Sequence, residues 1–175
     1  MIFVAFVVPE KTSSRSSLIE YSIEDQRIIY NTLTKEERDE IWIDRLTKEA
    51  NLNKGAKKRV LLKMAKELVV DNYDPKEDEA VVIKLFGREE AKRILTTLLL
   101  PSESPLPSKF LNEKASIKSN VVDGCGSCST SSDWCTHIND HCVDAGCHSY
   151  WNYGCGTLFM YACNGECVYK APESY

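Results

Sequence analysis

The sequence predicts a chain in two unlike parts: an all-α N-terminal region forming a helical bundle, followed by a small disulfide-rich, loop-dominated C-terminal module. Three observations carry that expectation. All eight cysteines fall between Cys125 and Cys167, with gaps of 2, 6, 6, 4, 7, 7 and 3 residues, and none precedes them. Apolar residues recur at the helical period from residue 22 to residue 100. Between these two parts, PSESPLPSKFLNEKASIKSN carries three prolines and little periodicity, as a linker does.

Residues 1–21 read as a signal-peptide remnant and polar lead-in. MIFVAFVV is eight apolar residues closed by Pro9, the length of a signal's apolar core, but it lacks a basic start and a small-x-small cleavage site. A buried edge strand is the competing reading. Residues 22–100 are the helical region. Ser22 with Asp25 and Thr34 with Glu37 have capping-box spacing, which satisfies the first free backbone N–H groups of a helix. After Thr34, the residues Ile41, Trp42, Leu46 and Ala50 share one face, with KEERDE toward solvent. Val60, Leu61, Met64, Ala65 and Leu68 line a helix over 56–69, and the stretch 71–75 ends it at Pro75. Helices over 77–86 and 88–100 are separated by Gly87, and the second buries Ala91, Ile94, Leu95, Leu98 and Leu99.

This region shows no chemical motif. The basic run KGAKKR lies between acidic stretches and reads as a solvated helix start. Trp42 reads as core, and the carboxylates at 36–40 and 76–79 fall on expected polar faces. Glycine-rich phosphate loops, GxSxG and HExxH are missing. No apolar run is long enough for a transmembrane span.

Residues 101–124 form the expected linker, where an exposed backbone would be cut if the tail is released. Residues 125–170 form the eight-cysteine module. Ordering a piece this small costs roughly 1–2 kcal/mol per residue in backbone entropy, more than its burial offsets. Cross-links must supply the rest, at about 2–4 kcal/mol each. Eight cysteines (Cys125, Cys128, Cys135, Cys142, Cys147, Cys155, Cys163 and Cys167) suit four disulfides, which implies an oxidising, secreted location. Spacing alone leaves about 105 pairings open. Six of the eight glycines lie in or beside this stretch, where tight turns are needed.

Charge narrows the function further. From residue 121 onward, Lys170 stands alone against six carboxylates, while nucleic-acid binders and membrane-lytic helices are cationic. Neither is expected here. Zinc is the rival to disulfides, since Cys125 and Cys128 have knuckle spacing and His137 and His141 are four apart. Only eight residues separate Cys128 from His137, too few for a finger, so no metal and no other cofactor is expected. A catalytic cysteine would have to be free and paired with a base, and an even, crowded set argues against one; no enzyme activity is expected. The tail's many aromatics are expected to pack on the disulfides as a substitute core. Tyr150, Trp151 and Tyr153, in YWNYG, are the expected binding face.

The segments CSTSSDWC and GCGTLFMYACNG resemble the corresponding parts of the bacteriocin fulvocin C-related family, and YNTLTKEERDEIWIDRL resembles its precursor region. The resemblance implies that Cys128, Cys135, Cys142, Cys147, Cys155 and Cys163 are disulfide partners. The opening C-x2-C and closing C-x3-C are wider than in the family, which leaves the partners of Cys125 and Cys167 open. It further implies a secreted precursor whose stapled C-terminal peptide acts on bacteria, with a specific bacterial cell-surface target given its negative charge. The alternatives are a secreted interaction module that stays attached to its helices and a zinc module.

Overall fold

The computed structural model describes residues 14–103, 128–135, 140–144 and 153–169. Its helices are α1 (Arg15–Leu18), α2 (Ile23–Thr32), α3 (Lys35–Asn51), α4 (Gly55–Glu67), α5 (Lys76–Phe86) and α6 (Arg88–Thr96). Two short strands, β1 (Asp140–Asp144) and β2 (Gly165–Tyr169), pair antiparallel in the C-terminal region. The two-part architecture expected from the sequence is therefore present.

Helix starts follow the local chemistry. At Thr34 the capping box is complete: Thr34 Oγ1 accepts from Glu37 N at 3.3 Å, and Glu37 Oε2 accepts from Thr34 N at 2.9 Å. At Ser22 only half of it forms. Ser22 Oγ accepts from Asp25 N, but the Asp25 carboxylate takes the Ser22 hydroxyl at 3.0 Å. Aspartate, one methylene shorter than glutamate, bonds the side chain next to it. Gly87, at φ +82°, turns the chain between α5 and α6, a conformation that favours glycine.

α3 packs on α4, α4 on α5, and α5 on α6, while α1 lies against α3. Ile41, Trp42, Leu46 and Ala50 from α3 meet Val60, Leu61, Met64 and Ala65 from α4 in one buried cluster, joined by Ala91, Ile94 and Leu95 of α6. These are the faces that the period predicts. Leu99 is only partly buried. The basic run from Lys54 to Arg59 is largely exposed at the start of α4, as expected, with Lys57 resting 4.7 Å from the Phe86 ring.

Two arginines lie inside the helical region. Arg45 is fully buried and pairs with Glu49 at 2.7 Å, and Glu49 also receives Arg93 at 2.8 Å. Arg15, on a helix that begins before the expected helical text, donates to Asp44, to the Leu98 carbonyl and twice to Glu103. It fastens the start of the helical region to its end. Among the described residues, no helix is long and apolar enough to cross a membrane.

Candidate functional site

Among the described residues the C-terminal module carries three disulfides, Cys128–Cys142, Cys135–Cys167 and Cys155–Cys163. Cys125 and Cys147 lie outside the described residues. Two of the bridges leave a single rung of the ladder, because Cys142 on β1 stands opposite Cys167 on β2. Asp133 ties them together from the side: its carboxylate accepts from Cys135 N at 3.0 Å and Cys142 N at 3.1 Å. Gly165 sits where a Cβ would overlap the Cys142 sulfur and the Val143 carbonyl, so only glycine lets the bridge pass this close. The third bridge closes a loop in which Cys155 and Tyr161 exchange two backbone hydrogen bonds of 3.1 Å.

The Sγ atoms of Cys128, Cys135 and Cys142 lie within 4.8 Å of one another. Each is half of a disulfide, and a metal ligand must be a thiolate. In this oxidised state the cluster offers a cation no charged sulfur.

Among the described residues, the module's buried apolar side chains Trp134, Leu158 and Phe159 join the cluster of the helical core. Leu158 and Phe159, both essentially inaccessible, enter the helical core. The Phe159 ring stands edge-on between Tyr30 of α2 and Trp42 of α3, at 5.5 and 5.3 Å between centroids, the favoured T-shaped arrangement. Burying a phenylalanine side chain is worth about 1.5–3 kcal/mol. Leu158 and Phe159 both have φ of 55°, in the left-handed region that costs a bulky residue energy. The surrounding contacts hold them there.

Polar groups close the seat around this tip. Tyr30 OH donates to the Leu158 carbonyl, and burial pushes the Tyr30 phenol well above its ordinary range. Asn31 clamps Tyr153 at both backbone groups, donating to its carbonyl at 2.7 Å and accepting from its N–H at 3.1 Å. The Arg38 guanidinium lies 4.0 Å over the Tyr153 ring. Arg88 lies 5.6 Å over the Trp134 ring and donates to the Asp133 carbonyl at 3.0 Å. Lys92 of α6 faces Asp133 and Asp140, and burial is the main cause that lowers its pKa. Three basic side chains of the helical region, Arg38, Arg88 and Lys92, thus face the acidic module.

Glu79 completes the junction. Its carboxylate accepts from Thr157 Oγ1 and from Ser132 Oγ, two buried hydroxyls of the module, and Thr157 Oγ1 in turn accepts from Trp134 Nε1 at 2.8 Å. Tyr161 OH reaches Asp74 at 3.1 Å, and burial chiefly raises its pKa. Nearby, Asp78 is buried and held by Lys63 at 2.7 Å and Tyr73 at 3.0 Å. The carboxylates of 76–79 are therefore not simply a solvated face: Glu79 and Asp78 are both engaged, because the module and the preceding turn cover that side of α5.

Of the expected binding face, Tyr150 and Trp151 lie outside the described residues. Tyr153 is half-buried and faces the helices. Tyr169, at the end of β2, is the more open aromatic, 65% exposed. Ser132, Thr157 and Glu79 carried no signal in the sequence, since their pairing depends on segments more than fifty residues apart. Comparison of the chain with protein-family models, curated proteins and solved structures finds no match.

Proposed function

We propose that the chain is an exported, bacteriocin-like precursor in which the helical region carries a stapled C-terminal peptide that acts on bacteria through a specific surface partner. The observation that carries this reading is the oxidised module: all six described cysteines are paired with one another, inside a small acidic unit. Such cross-links persist in oxidising surroundings and are rare in a reducing cytosol. Six carboxylates against one lysine from residue 121 onward disfavour attack on anionic lipid and favour recognition of a defined receptor.

The test is the intact mass of the exported product before and after reduction and alkylation, with growth inhibition measured on strains related to the producer. The reading expects alkylation only after reduction, a mass equal to the tail, and inhibition at low concentration. Free thiols in the native secreted material would overturn it.

A second reading has an observation of its own. The buried contact of Phe159 with Tyr30 and Trp42 favours a secreted interaction module that remains part of the whole chain. In that case the exported product has the mass of an uncut chain.

A further inference from the structure

The surface between module and helices has the anatomy of a protein–protein interface. It has a desolvated aromatic centre, Phe159 against Tyr30 and Trp42. Around it run hydrogen bonds donated by Tyr30, Asn31 and Arg88 and accepted by Glu79 and Asp74, spread over α2, α5, α6 and the turn before α5. Arg38 and Arg88 form a cationic rim over Tyr153 and Trp134. Central aromatic anchors inside a polar rim are what make such surfaces bind tightly.

Residues 1–124 contain no cysteine, so no disulfide can join the helical region to the module. Among the described residues, this surface is what holds the two together after a cut. We propose that the helical region is a tight-binding partner of the disulfide module, so that cleavage within residues 104–124 yields a non-covalent two-part complex, not a free peptide. This rests on the reading that the module is the working part of an exported precursor. It adds that the Tyr30–Trp42 slot is the binding site and Phe159 the anchor. Cutting the chain is then necessary but insufficient for release: a receptor must displace the helices from the Phe159 face, or act on the module while they remain bound.

The experiment inserts a specific protease site within residues 104–124 of the full-length oxidised protein and cleaves it. Size-exclusion chromatography and native mass spectrometry then follow the parts from micromolar concentration downward. Co-migration at the mass of the uncut chain is expected; separation at micromolar concentration overturns the proposal. Phe159→Ala should raise the dissociation constant at least about a hundredfold. The paired rim change Arg38→Gln with Arg88→Gln should weaken retention by roughly tenfold, with a shallower salt dependence than wild type. If Phe159→Ala does not fold before cleavage, the rim pair decides alone, and unchanged retention at every salt concentration assigns the binding elsewhere and overturns the slot. Retention is read by mass whether or not any strain is inhibited, so failure of the antibacterial reading and failure of this one are distinguishable.

Discussion

The helical region and the cysteine module solve the same problem by different physics. The helices hold together by burial: Trp42, Ile41, Leu46, Leu61, Met64 and Leu95 are enclosed, and an ion-pair chain from Arg45 through Glu49 to Arg93 runs beside them. The module is held by sulfur, and among its described residues the largest buried side chains, Trp134, Leu158 and Phe159, belong to the common cluster with the helices. Cross-links thus free the module's few apolar groups for contact with another surface. A small unit that needed those groups for its own interior would have none to spend on binding.

Complete reduction is the severest test of that contrast. We expect it to abolish the β1–β2 ladder while most helical circular dichroism persists, since no cysteine lies in the helical region. Simultaneous loss of both signals on titration with a phosphine reductant would break the comparison by making the helices dependent on the module. Single bridges sharpen it. In the chain-entropy account, removing Cys135–Cys167, 32 residues apart, should cost about 3.7 kcal/mol, and removing Cys155–Cys163, 8 apart, about 2.6 kcal/mol. Paired serine variants followed by denaturant unfolding rank the two, and the reverse order would show that strain or the Phe159 loop outweighs chain entropy.

Smaller effects probe the helical side. Hydrogen bonds from Arg15, above all, hold the Glu103 carboxyl down to about 2, below its ordinary 4.5. A depressed carboxyl stabilises the fold above its unfolded pKa, and that contribution fades as pH falls from about 4.5 toward 2. Thermal midpoints of wild type and Glu103→Gln should therefore differ at pH 6 and converge near pH 2; a gap that is constant with pH would mean the ion pair is not the source. Thr34→Ala, which removes the one complete capping box found, should cost about 1 kcal/mol in denaturant unfolding and leave the module's ladder intact.

The helical half was largely legible. Ile41, Trp42, Val60, Leu61, Met64 and Ile94 declare their faces through a local period, and Gly87 and Pro75 mark breaks by backbone chemistry. The presence of disulfides followed from the number and crowding of the cysteines. Their pairing did not, because Cys142 faces Cys167 only through a ladder register that no local spacing encodes. The burial of Arg45 was not legible, because an i,i+4 pair with Glu49 looks the same on a solvated face and Arg93 of α6 joins it only in the folded chain. The seat of Phe159 was illegible for a related reason: Tyr30 and Trp42 lie more than a hundred residues away, and nothing local distinguishes a phenylalanine that fills its own module from one that fills its neighbour.

The left-handed backbone at Leu158 and Phe159 has a practical consequence for reagents. Bulky residues keep that geometry only where neighbours compel it, at a cost of about 1–3 kcal/mol each. Detached from Tyr30 and Trp42, the tip keeps only its own backbone hydrogen bonds and the Cys155–Cys163 bridge to hold that shape. An antibody raised on synthetic tail peptide will then see the Phe159 face that the whole chain conceals, and such a form-selective antibody would report undocking directly in culture fluid.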